Sequence, residues 1–292
     1  MDRKAISGCL IAASLLFTVS CSRKKAIVVG SKQLTEQVIL GEIIAQHLEH
    51  RLKDPIQRSL NLNGTLLTHQ ALQSGEIDLY PEYTGTAFMN VLKHKTINDP
   101  AIVLERVKKE YGELQLDWLD PLGFNNTFAM VIRGEDSRQR HIETLTEAAS
   151  DPKGFVLGCG AEFLDRPDGY QVLNSGYNIK WTAAPKTMDL GLLYRALEQK
   201  QVDMVAGSGT DGMLSKLDVK VLKDDKEQFP PYQASIVVRQ ESETAHPGLK
   251  EALAELSGKI SGEEMQKMNY AVDGDHKRPA DVAADFLKSK GL

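Results

Sequence analysis

The chain has 292 residues, 41% of them hydrophobic and 26% charged, with a formal net charge of −5. This length and balance suit two compact lobes with their own cores and exclude a disordered chain. The acidic surplus argues against nucleic acid as a partner.

Arg3 and Lys4 precede an apolar run from Ala5 to Val19 that is too short to span a bilayer comfortably, the pattern of an export signal peptide over residues 1–20. The run ends Thr18-Val19-Ser20-Cys21, small residues before a cysteine, which resembles the lipobox of bacterial lipoproteins with Thr18 in place of leucine. Cys21 is then a lipid anchor on a periplasmic or cell-surface protein; the alternative is an ordinary cleaved leader with an incidental Cys21. Either way the chain is exported. Past Cys21 the sequence holds only Cys159, so no disulfide joins core cysteines and Cys159 reads as a small buried apolar residue. His47 and His50 are three apart with no third ligand nearby, so neither a metal site nor a cofactor is expected.

Ala26–Gly30 is apolar, β-branched and closed by glycine, and predicts a short buried strand. After the loop Ser31–Leu34, Thr35 suits an N-cap, Glu36 suits a first turn, and Val38, Ile39, Ile43, Ile44 and Leu48 recur at helical spacing. Such a strand feeds a helix N-terminus, a place where anions bind. Leu66–Ser74 predicts a second helix ended by Gly75, Ile77–Tyr80 a strand, and Pro81–Thr86 a turn-rich loop.

The same text recurs later. Ala196–Val205 aligns with Ala71–Tyr80 at a constant offset, which brings Ser208 into register with Tyr83 and makes Asp78 and Asp203 a repeated, structural pair. Phe155–Gly158 matches the first strand and is followed by a polar loop and a helix near Pro167. The expected fold class is therefore α/β in both of two similar lobes. Thr127–Arg133 and Ala234–Arg239 flank the second half and read as the two crossover segments, the hinge. From Pro247 onward Leu249, Leu253 and Leu256 share one helical face that returns to the first lobe.

Three strings carry a resemblance: Gly30–Gln37 (GSKQLTEQ), Gly75–Thr86 (GEIDLYPEYTGT) and Gly123–Ala129 (GFNNTFA). Asp165–Tyr170, Phe229–Tyr232 and Met268–Tyr270 agree in order and spacing. From about Ala26 to Leu292 the chain resembles the substrate-binding proteins of osmoprotectant and quaternary ammonium ABC importers, the glycine betaine, carnitine and choline family. The resemblance implies a two-lobe, periplasmic-binding-protein-like flytrap of type II, with residues 26–124 and 236–292 in lobe 1 and 125–235 in lobe 2. It also implies a monomer, a small quaternary ammonium ligand and ABC permease subunits as partners.

A trimethylammonium group carries charge but no N–H, so ring faces hold it better than carboxylates or carbonyls. The family draws its aromatic box from positions that match Tyr83, Phe128, Ser208 and Tyr232. Ser208 departs from the family's tyrosine. Weaker affinity, a bulkier ligand such as ergothioneine or carnitine, or a ring supplied by Tyr170 would each follow. For a ligand carboxylate, Thr35, Gln37, Thr86, Asn125 and the amides after Leu34 are the expected donors. Asp211 beside the box either balances the cation or is a turn residue, and Arg166 with Asp168 either orients ligand or caps a helix.

Two other functions stay in view. An enzyme would need a nucleophile elbow, a metal motif or a phosphate loop, none of which the sequence contains. A ligand sensor docking on a receptor domain would have the same cleft chemistry.

Overall fold

The structure, a computed structural model, describes residues 25–166 and 168–292. The expected signal peptide and the Cys21 anchor lie outside the described residues. The strands are β1 (Ile27–Lys32), β2 (Ile56–Leu62), β3 (Leu79–Tyr83), β4 (Leu116–Trp118), β5 (Phe128–Arg133), β6 (Leu157–Cys159), β7 (Lys186–Thr187), β8 (Met204–Ser208), β9 (Val219–Leu222) and β10 (Ala234–Arg239). They form two five-stranded sheets in the orders β2-β1-β3-β10-β4 and β7-β6-β8-β5-β9.

The two sheets have one topology. β1 is parallel to β2 and β3, and β10 runs antiparallel to β3 and β4. β6 is parallel to β7 and β8, and β5 runs antiparallel to β8 and β9. The repeated text thus supplies β3 and β8, each flanked by one parallel and one antiparallel neighbour. In each sheet the antiparallel strand is the one delivered across the cleft: β5 enters the second sheet directly after the first, and β10 returns. This is the two-lobe α/β architecture with crossover segments that the sequence pattern predicts.

The crossings themselves lie elsewhere than expected. Thr127–Arg133 and Ala234–Arg239 supply buried sheet strands, because an apolar β-branched run suits a central strand whatever connects to it. The chain crosses in the residues just before each. Asn125 and Gln233 form an antiparallel bridge, Asn126 N–H donates to Tyr232 O at 3.0 Å, and Ala234 N–H donates to Phe124 O at 3.2 Å.

Each sheet is covered on both faces. In the first lobe Ile39, Ile43 and Leu48 of the helix Thr35–Arg51 pack with Leu249, Leu253 and Leu256 on one face, and Tyr80, Tyr111 and Trp118 fill the other. The C-terminal helices therefore return to this lobe, as their apolar face predicts. The second lobe has Phe155, Phe163 and Leu173 on one face and Leu193, Leu197 and Val205 on the other. Two local readings differ. Leu34, extended and without a side-chain cap bond, precedes the first helix, so Thr35 is its first helical residue and not its cap. Pro81–Tyr83 extend β3, and Thr84 turns straight into helix.

The repeated aspartates do the same work twice. Asp78 Oδ2 accepts from Val28 N–H at 2.8 Å, and Asp203 Oδ2 accepts from Val156 N–H at 3.0 Å. Each tethers the start of its central strand to the neighbouring parallel strand. Arg133, ending β5, donates to Asp203 at 2.9 Å and to the carbonyls of Leu197 and Val202 at 2.9 and 2.6 Å. Arg239, ending β10, stands 3.9 Å from Asp78. Asp203→Ala removes one acceptor from a buried guanidinium that keeps Asp136 and two carbonyls, and leaves the Val156 N–H without its partner, so it is expected to lower stability by about 1–3 kcal/mol. Urea denaturation checks this, and a midpoint equal to wild type would refute it.

Candidate functional site

A cavity of about 540 Å³ opens between the lobes where β3 and β8 end and β5 begins. Lobe 1 contributes Leu34, Tyr83 and Thr86; the crossovers contribute Asn126, Thr127 and Tyr232; lobe 2 contributes Phe128, Phe163, Arg166, Ser208 and Asp211. Leu190 and Leu193 form an apolar flank, and Glu162 and Asp189 add carboxylates.

Tyr83, the last residue of β3, is 5% exposed. Its hydroxyl donates to Glu36, and its backbone N–H donates to Glu82 at 2.7 Å. Glu82 in turn pairs with Lys32, whose ammonium lies 4.7 Å from the Tyr83 ring centroid. The ring is thus held by its hydroxyl, its backbone and one face. Phe128 opens β5 directly opposite Ser208. The edge-on ring of Phe163 is 4.9 Å away and that of Phe229 is 5.9 Å away.

Arg166, Asp168 and Tyr232 form one polar unit. Arg166 donates twice to Asp168, at 2.9 and 2.6 Å, and once to the Tyr232 hydroxyl at 3.1 Å. The Tyr232 hydroxyl donates to Asp168, and the guanidinium lies 5.2 Å from the Phe128 centroid. Burial works to raise the Asp168 pKa, but hydrogen bonds from Arg166 and Tyr232 outweigh it and hold the carboxyl below its ordinary range. Burial, followed by the charge of Asp168, raises that of Tyr232. Asp211 is different: burial pushes its carboxyl up although it accepts from Tyr194 at 2.6 Å and from Ser208 N–H at 2.9 Å.

Of the residues expected from sequence, Tyr83, Thr86, Phe128, Ser208, Asp211 and Tyr232 line this one cavity. Thr35, Gln37, Asn125 and Tyr170 lie outside its lining. Thr35 Oγ1 donates to Asp273 at 2.7 Å, and Gln37 is fully buried in its helix. Asn125 Oδ1 accepts from Tyr232 N–H at 2.6 Å. Asn126, the next residue of the crossover, lines the cavity in its place. Tyr170, partly buried, packs 6.0 Å from Trp181 against the second lobe's core, and Phe163 supplies the additional ring. An aromatic in the short helix Ala161–Asp165 had no sequence signal to separate it from core. Asp211 spends its carboxylate on Tyr194 and the 208–211 turn, and Arg166 and Asp168 pair with each other while the guanidinium still faces the cavity.

Residues 25–289 match the family described as the substrate binding domain of ABC-type glycine betaine transport system. The chain is 38% identical over 288 residues to the ergothioneine transport permease/ergothioneine binding protein EgtU of Helicobacter pylori (strain G27). That match covers 97% of this chain and 51% of the relative, so the chain spans about half of that relative's length. It is 35% identical over 294 residues to the carnitine transport binding protein OpuCC of Listeria monocytogenes serotype 1/2a (strain 10403S), covering 97% of this chain and 95% of the other. A crystal structure of a glycine betaine/carnitine/choline ABC transporter superposes with a TM-score of 0.86 at 33% identity, over 91% of this chain and 98% of that one.

The depressed pKa of Asp168 sets a pH dependence. An acid with a lowered folded pKa adds stability above its ordinary value, here 3.8, and that stability is lost as pH falls through the folded value. Asp168→Asn is therefore expected to be less stable at neutral pH and to lose less on acidification. Melting temperatures between about pH 2 and 7 test it, and parallel wild-type and mutant profiles would refute the assignment.

Proposed function

Because the chain belongs to the family of substrate-binding domains of ABC-type glycine betaine transport systems, we propose that it captures a quaternary ammonium compound between its lobes for import. The observation that carries this is the convergence of Tyr83, Phe128, Phe163 and Tyr232 on one interlobe cavity. A ring face within about 6 Å of a cation contributes roughly 0.5–2 kcal/mol, so several rings make a trap that asks the cation for no donor. Arg166 brings a guanidinium into the same cavity, suited to a ligand carboxylate, and the preferred ligand is accordingly a betaine rather than choline.

Ser208 favours a ligand with a body larger than glycine betaine. It stands across from Phe128 with no ring of its own, and the apolar side chains of Leu190 and Leu193 flank the space. Carnitine and ergothioneine, the compounds named for OpuCC and EgtU, fit that description. In this reading the chain works outside the cytoplasm as a monomer tethered through Cys21, and delivers ligand to ABC permease subunits.

Calorimetry with glycine betaine, choline, carnitine and ergothioneine tests the proposal. At least one is expected to bind, and Tyr83→Ala is expected to weaken it at least tenfold, roughly 1.4 kcal/mol, while the protein stays folded. Undiminished affinity in that variant would reject the site. Ser208→Tyr fills the open wall and is expected to favour glycine betaine over carnitine or ergothioneine relative to wild type. An unchanged preference would remove Ser208 as the determinant of ligand size.

A further inference from the structure

Glu36 is buried in the first turn of the helix Thr35–Arg51, 6% exposed, and lines no part of the cavity. Its two oxygens nonetheless gather three chain segments. Oε1 accepts from the Tyr83 hydroxyl and from Asn126 Nδ2 at 3.0 Å, and Oε2 accepts from Asn269 Nδ2 at 3.0 Å. Two of these partners reach into the second lobe. Asn126 Oδ1 accepts from Ser208 Oγ, and Asn269 Nδ2 also donates to Thr210 O at 2.8 Å. Gln266, one helical turn before Asn269, donates to Gly209 O at 2.9 Å. At Gly212 a Cβ would stand 2.6 Å from Tyr270 N, so the turn lies against the helix Gly262–Asp273 with no room for a side chain.

We propose that Glu36 is a positioning residue that couples the Tyr83 wall of the binding cavity to contact between the lobes. One carboxylate holds the ring that faces ligand and, through Asn126 and Asn269, holds both ends of the Ser208–Thr210 turn. Moving the second lobe away takes the Thr210 side chain from the carboxylate and breaks the Ser208–Asn126 and Asn269–Thr210 bonds, so the buried carboxylate keeps only its donors on the first lobe and the crossover. Burial already works against its ionised form, opposed by the hydrogen bonds from Thr210, Tyr83, Asn269 and Asn126. Closure therefore gives Glu36 the Thr210 donor and holds in place the Asn126 and Asn269 side chains that share its carboxylate with the Tyr83 hydroxyl. Ligand bound against Tyr83 in this position favours the closed lobes, and by reciprocity closed lobes favour ligand.

The inference rests on the proposed binding of quaternary ammonium compounds, and the experiment separates the two. Asn269→Ala touches only the link, so it is expected to weaken the best-binding compound of the four-ligand panel about tenfold. Its effect should shrink to within twofold in a Tyr83→Phe background, because the two positions act through one carboxylate. Independent, multiplicative losses, or an Asn269→Ala variant that melts earlier yet binds like wild type, would overturn the coupling. Glu36→Gln keeps the size but turns an amide toward Asn269, and X-ray scattering without ligand should show a larger radius of gyration than wild type. An unchanged radius would overturn the link even if no compound in the panel binds, whereas failure of wild type to bind any of them would strike only the proposed function.

Discussion

The two lobes are joined through a pair of extended segments that lie side by side, and the geometry of the cleft follows from that pairing. Residues 124–127 and 230–234 bond to each other through backbone and through the Asn125 side chain, and Thr127 Oγ1 adds a bond to Pro230 O at 3.1 Å. The ribbon also lies against the turn that follows Tyr83: a Cβ on Gly85 would stand 2.4 Å from Pro231 O. Segments far apart in sequence are thereby held at one place. Tyr83, Asn126, Phe128 and Tyr232 meet because the paired segments run beside the end of β3 and lead directly into β5 and β10.

Within the cleft, charge is handled in closed groups. Arg166 with Asp168, and Lys32 with Glu82, are opposite charges that satisfy each other and anchor an aromatic ring beside them. Such pairs contribute little net stability by themselves, since desolvation offsets most of the Coulomb attraction. Their value here is orientation. A ring fixed by its hydroxyl and by a neighbouring ion pair loses little further freedom when a ligand arrives, which is how preorganisation raises affinity. Ring faces also suit a permanently charged ammonium with no N–H, because they attract the charge without requiring a donor.

The same economy links binding to movement. Lobe 2 meets lobe 1 away from the ribbon through the turn after β8, and that turn carries Ser208 into the cavity and Thr210 onto the helix Gly262–Asp273. A ligand touching both halves therefore acts on an element that already bridges them. It shifts the equilibrium only by the difference between its contacts in closed and open lobes, and residues that bridge the halves are where that difference is set.

Much of this was legible in residue order. The constant offset between Ala71–Tyr80 and Ala196–Val205 predicted paired helix-strand units, and the paired roles of Asp78 and Asp203 follow from it, because identical local hydrogen bonding needs identical spacing. Tyr83, Phe128, Ser208 and Tyr232 were legible only through the family resemblance of the strings that hold them, since by residue type alone such aromatics read as core. The crossings were misplaced because a buried strand and a connecting strand share one composition. Asn126 against Asn125 was beyond reach, since the choice is a matter of which way an extended segment is turned. Phe163 and the Glu36 hub were hidden for a related reason: burial, hydrogen-bond partners and distance across the cleft depend on contacts between residues as many as 233 positions apart. Local pattern determined the elements and their twofold plan; only the packing of one lobe against the other decided which of their side chains share a cavity.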